Sequence, residues 1–131
     1  MKWRFWVIGI GLASLVLLFL FSPSRDAEVA LGLKWLPLST RNLNVSVDAW
    51  TDYVVTGYIE VSSSDFEKIL NARKYERDDH RAWAITDPQL PNASRRVSTT
   101  SYFWNDPNTS TNAHLETDAT RSWIQFLYST D

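Results

Sequence analysis

The 131-residue chain contains no cysteine. That absence excludes a disulfide framework, thiolate-ligated zinc and a cysteine nucleophile. It also excludes the lipid-bearing cysteine of a bacterial lipoprotein. Histidine is nearly as scarce, with His80 and His114 alone. A hydroxyl–histidine–acid triad would have to use one of them, and no G-x-S-x-G elbow accompanies either. The chain also lacks a basic excess: its net charge is −2. Lys2 and Arg4 take two of the 13 basic residues and none of the 15 acidic ones, so the remainder is net −4. Nucleic-acid binding needs a basic stripe that displaces counterions, and this field has the wrong sign for it. The local basic clusters Arg73-Lys74-Arg77 and Arg95-Arg96 do not change that balance, since Glu76, Asp78 and Asp79 dilute the first. No repeat, low-complexity tract or cofactor motif is visible.

Charge is also missing from residues 5–21, FWVIGIGLASLVLLFLF, in which Ser14 is the only polar side chain. Here the absence is informative. A core helix would show a polar face, and this run shows none. Its 17 residues make roughly 25 Å of helix, slightly short of a hydrocarbon core near 30 Å. The run predicts a transmembrane helix carried by Phe5, Trp6, Leu12, Leu17, Leu20 and Phe21. Trp3 and Trp6 sit at one end, where indole rings favour the interface, and Lys2 and Arg4 favour a cytoplasmic N-terminus. The expected topology is single-pass in the inner (cytoplasmic) membrane, with the C-terminal part periplasmic or extracellular. Ser22-Pro23-Ser24 offers a cleavage point after Ser24, which would make the domain secreted. Against cleavage, the run exceeds a usual signal-peptide core and no A-x-A precedes Arg25.

The expected organisation is therefore a membrane-targeting segment over residues 1–24, a linker or packing arm over 25–41, and an exported domain over 42–131. The 107 residues after Ser24 suit one small domain that buries somewhat under roughly 70% of its unfolded surface. Ser22 to Asp26 reads as a breaker and spacer. Leu31, Leu33 and Trp35 alternate before Pro37, as in a short strand or an arm.

Residues 42–48 and 52–61 alternate apolar and polar side chains and are joined by Ala49-Trp50-Thr51. They predict an antiparallel hairpin. Ser64 and Glu67 form an S-x-x-E capping box, and Phe66, Ile69, Leu70 and Arg73 fall at i, i+3, i+4 and i+7. A helix is expected over 64–75. Strands are expected near 83–85, 97–104, 113–117 and 121–128, the last apolar on both faces and so central. Asp87 to Arg95 and Asn105 to Asn112 read as loops. The predicted fold is α+β: a mainly antiparallel sheet of five or six strands with one helix packed on it. The stretch WTDYVVTGYIEVSSSDFEKIL resembles the strand-into-helix segment of small bacterial envelope proteins, a likeness that carries no activity.

Candidate chemistry is sparse. Asp78-Asp79-His80 offers metal-ligand types, with His114 and Glu116 as a second segment, although adjacent turn residues rarely converge on one ion. Asp48, Asp52 and Glu60 offer carboxylates for acid–base work, but Asp is at home beside a turn. Neither set predicts a catalytic, metal or cofactor site. The aromatics are the unusual feature: Trp35, Trp50, Trp83, Trp104 and Trp123 with five tyrosines. Trp50, Trp104 and Tyr58 are the candidate interaction surface. The expected function is a membrane-anchored envelope module without enzymatic activity that binds a protein partner. The alternatives are a carbohydrate or peptidoglycan binder using Trp50 and Trp104 as stacking platforms, and a small hydrolase.

Overall fold

The structure is a computed structural model that describes residues 11–18, 22–78 and 100–130. It contains a six-stranded antiparallel sheet with two helices on one face. The strands are β1 (Arg41–Asp48), β2 (Tyr53–Glu60), β3 (Glu76–Arg77), β4 (Thr100–Asn105), β5 (Asn112–Thr117) and β6 (Trp123–Thr130). The helices are α1 (Pro23–Leu31), before β1, and α2 (Ser63–Arg73), between β2 and β3. The sheet order is β1-β2-β6-β5-β4-β3. The predicted hairpin is present, with Val45 opposite Gly57 and Asp48 opposite Val54. The closing strand is central, as its two apolar faces required: β6 lies between β2 and β5.

One helix was expected on the sheet and two are found. The segment read as breaker and arm is α1. Ser22 is its N-cap, with its hydroxyl accepting from the Arg25 amide at 3.4 Å, and Pro23 occupies the first turn. Gly32 ends it in the left-handed region at φ 73, its amide and that of Leu33 returning to Val29 and Glu28. Proline just inside the start and glycine just past the end is the usual helix asymmetry. The Leu31/Leu33/Trp35 alternation obscured it; the side chains that bury are Ala27, Ala30 and Leu31, at helical spacing.

The N-cap of α2 lies two residues before the expected one. Ser62, not Ser64, accepts from the Asp65 amide at 3.3 Å. Glu67 does not fold back to close a box; it pairs with Arg121 at 2.8 Å. Three serines in a row make several caps possible. The Ser39 hydroxyl favours Ser62, accepting from its amide at 3.0 Å and donating to Asp65 Oδ2 at 2.6 Å. The helix ends at Arg73, with Lys74 in the left-handed region at φ 54.

The core lies between helices and sheet. Leu31 of α1 and Phe66 and Ile69 of α2 bury against Val55, Ile59, Leu115, Ile124 and Phe126. Each such side chain contributes roughly 1.5–3 kcal/mol. Phe66 meets the Tyr102 ring edge-on at 5.7 Å. Strands β2 and β3 run in the same direction, so α2 crosses the helix face from one side of the sheet to the other. Of the predicted membrane span, residues 11–18 are described and helical, and Leu12, Leu15, Val16, Leu17 and Leu18 are all more than half exposed. Phe5, Trp6, Leu20 and Phe21 lie outside the described residues, as does the strand expected near 83–85. Among the described residues no helix is long and apolar enough to cross a membrane.

At the centre of the sheet Gly57 faces Phe126. A Cβ there would lie 2.5 Å from Phe126 Cζ and 2.6 Å from the Asn44 carbonyl oxygen. Neither the central ring nor the backbone oxygen can retreat cheaply. Gly57→Ala is therefore expected to destabilise the domain by about 1–3 kcal/mol. Equilibrium urea unfolding of the full chain in detergent measures this, and an unchanged midpoint would contradict the fit described.

Candidate functional site

Side chains alternate across the sheet, so each strand sends one set to the helices and the other to the opposite face. That opposite face is where polar groups gather. Tyr58, Gln125, Glu116 and Ser101 fall in one register row across β2, β6, β5 and β4. All four are buried, Glu116 to 4% and Gln125 to 3% exposure. Glu116 and Gln125 are both partnered. The next row carries Thr56, Leu127, His114, Phe103 and Glu76. Trp123 is buried beside Tyr58 on the same face.

His114 is the reactive type in this set. Its Nε2 is buried and has no hydrogen-bond partner among the described residues. Burial holds the imidazole below its ordinary value of 6.5, and the charge of Asp78 pulls the other way. The structure thus brings Asp78 within electrostatic reach of His114, two residues that the sequence grouped across separate segments. Asp79 and His80 lie outside the described residues. Among the described residues no group of three His, Cys, Asp or Glu side chains could hold a metal ion. Phe103, the cross-strand neighbour of His114, also lines an open cleft of about 420 Å³ with Lys74, Glu76, Arg77, Asp78, Trp104 and Asn105. Both signs of charge and two aromatic rings share this corner. That lining suits binding of a polar segment more than general acid–base catalysis, which needs groups converging on one reacting atom.

The other carboxylates do not converge. Asp48 accepts from the Trp50 amide at 3.1 Å, a local turn bond, and Asp52 is exposed in the same turn. Glu60 stands at the far end of β2, where Asn42 donates to it at 2.9 Å.

The three candidate interaction residues occupy three different places. Trp50, in the β1–β2 turn, is 92% exposed. Tyr58 is buried on the polar face. Trp104 is half-buried on the helix face, with the Arg73 guanidinium 4.5 Å from its ring centroid. Arg73 also lies 5.0 Å from the Tyr128 ring centroid and donates to the Val29 carbonyl at the end of α1. A cation between two rings and a helix C-terminus is favourably placed on both counts. Beside it the Tyr75 hydroxyl is deeply buried, which pushes its pKa above the ordinary tyrosine range.

Sequence reasoning missed Glu116 and Gln125 as a buried pair. The available signal was that β5 and β6 would bury both faces while carrying polar residues at alternate positions. No protein-family model, curated protein or solved structure matches the chain.

The buried imidazole has a pH consequence. Its pKa is depressed in the folded state, so as pH falls the unfolded chain takes up this proton first. The contribution of His114 to stability is therefore constant above its unfolded pKa of 6.5 and declines as pH drops through that value toward the lower folded one. His114→Gln should flatten this part of the stability profile between about pH 7 and pH 5. Thermal unfolding of both proteins across that range provides the comparison, and parallel profiles would exclude the assignment.

Proposed function

We propose that this chain is a single-pass membrane protein of the cell envelope whose α+β domain recognises a protein partner without catalysing a reaction. On this reading the N-terminus is cytoplasmic, residues 5–21 stay in the bilayer, and the domain stands in the periplasm or outside the cell. The observation that carries the interaction reading is the outer edge of β1. Eight residues long, Arg41–Asp48, it has no strand on its far side among the described residues. An unpaired edge presents a row of backbone donors and acceptors that another chain can extend. The pairing of β1 with β2 is irregular between Arg41 and Asn44, where Asn42 has φ 50, and regular from Asn44 to Asp48. Val47, 42% exposed, marks the accessible part. Trp35 and Leu38, in the connection leading into β1, are also exposed large apolar side chains. A sugar platform built on Trp50 and Trp104 together has less support, since Arg73 stacks on Trp104.

Two measurements test this reading. A photo-reactive residue at Val47, in the full chain in its native membrane, is expected to give a discrete protein adduct, whereas one at Lys68 on α2 is not. No adduct at Val47 would overturn edge recognition. A reporter active only outside the cytoplasm, fused after Asp131, is expected to be active; an inactive fusion would overturn the topology.

A further inference from the structure

The β1–β2 turn exposes its indole at the end of the domain nearest to where the apolar run ends. Trp50 is 92% exposed, and its turn is held in shape by the Asp48 carboxylate. A tryptophan left in this state keeps about 150–250 Å² of aromatic surface in water. Three residues on, Tyr53 opens β2, and its hydroxyl donates to Asp26 Oδ1 at 3.3 Å. Asp26 lies in the first turn of α1. One helical turn earlier, roughly 6 Å along the axis, is Ser22, the N-cap and the first residue after the apolar run.

These links fix a short path. Three residues of chain separate Trp50 from Tyr53, at most about 10 Å, and a side-chain hydrogen bond joins Tyr53 to α1. The β5–β6 turn around Ala119 lies at the other end of the sheet, since β6 runs its full eight residues between the two ends. That is about 27 Å at 3.4 Å per residue. The β4–β5 turn shares the Trp50 end, but its residues 106–111 are all polar except Pro107.

From this juxtaposition we infer that Trp50 seats in the headgroup region of the same bilayer that holds residues 5–21, so that the β1–β2 turn is a second membrane contact. The occupant is a lipid surface. An indole offers it an apolar body and one N–H donor, the combination that favours the membrane–water interface. Asp48 and Asp52 flank the ring. They favour a zwitterionic surface, because an anionic one would repel both carboxylates. The contact fixes the tilt of the domain on the membrane and sets which way the β1 edge faces. It rests on the membrane reading of residues 5–21 proposed above.

The absence of cysteine makes the test direct, because each introduced thiol is unique. Ala49→Cys, Ala119→Cys and Leu15→Cys are each spin-labelled in the full chain and reconstituted into phosphatidylcholine vesicles. Collision with oxygen, which partitions into lipid, is compared with collision with a water-soluble nickel chelate. The oxygen-to-nickel ratio at position 49 should exceed that at 119 several-fold and fall to the 119 value when Trp50→Ala is added. If Leu15 reports lipid while 49 and 119 are alike, the Trp50 contact is overturned and the membrane span stands. If Leu15 itself reports water, the span and the contact fall together.

Discussion

Everything in this sheet depends on the pairing of β2 with β6. The chain builds two local units: the β1–β2 hairpin near its start and the β4–β5–β6 meander at its end. Among the described residues the β2–β6 ladder is the strand pairing that joins them, in unbroken register from Tyr53 opposite Thr130 to Glu60 opposite Trp123. Side chains on a strand alternate, so a slip of one residue would exchange the faces of an entire half. The ladder is pinned where Gly57 meets Phe126. No other residue leaves room for the ring, and the ring fills the space a side chain would take.

With the sheet fixed, the two helices close one face of it, and Arg73 joins them. It leaves the last turn of α2, donates to the end of α1, and lies over the rings of Trp104 and Tyr128. Gly32 makes room for it, for a Cβ there would lie 2.5 Å from the Arg73 Cγ. Four elements thus share one guanidinium, whose planar cation can stack and donate at once. Opposite the helices, β5 and β6 bury a carboxylate, an amide and an imidazole. The domain accordingly has an apolar side organised by packing and a polar side organised by hydrogen bonding and charge.

The two sheet edges differ. On one side the two-residue β3 shields part of β4, and short edge strands protect against unwanted pairing. On the other, β1 is eight residues long, with no strand beyond it among the described residues. The β1–β2 turn that ends this edge carries the exposed indole, and a tyrosine hydrogen bond ties that turn to α1. Edge, indole and the first turn of α1 thus occupy one region of the described residues.

Sequence alone determined the strands of the β1–β2 hairpin and their faces. Alternation at Leu43, Val45 and Val47 and at Tyr53, Val55 and Ile59 is a local property, set by the two-residue period of the backbone. The two apolar faces of residues 123–128 placed the last strand at the centre. The absence of cysteine, the scarcity of histidine and the uncharged run at 5–21 are likewise sequence facts that bound the chemistry. Only the tertiary structure decided the rest. It chose Ser62 over Ser64 as the cap through a hydroxyl 23 residues away. It made a helix of residues read as an arm, because burial of Ala27, Ala30 and Leu31 against the sheet outweighed a local alternation. It separated Trp50, Tyr58 and Trp104, since exposure depends on which elements lie above a residue and not on the residue itself. The buried row through Tyr58, Gln125, Glu116 and Ser101 arises from pairing of strands up to 67 residues apart, and no local pattern in the chain encodes that distance.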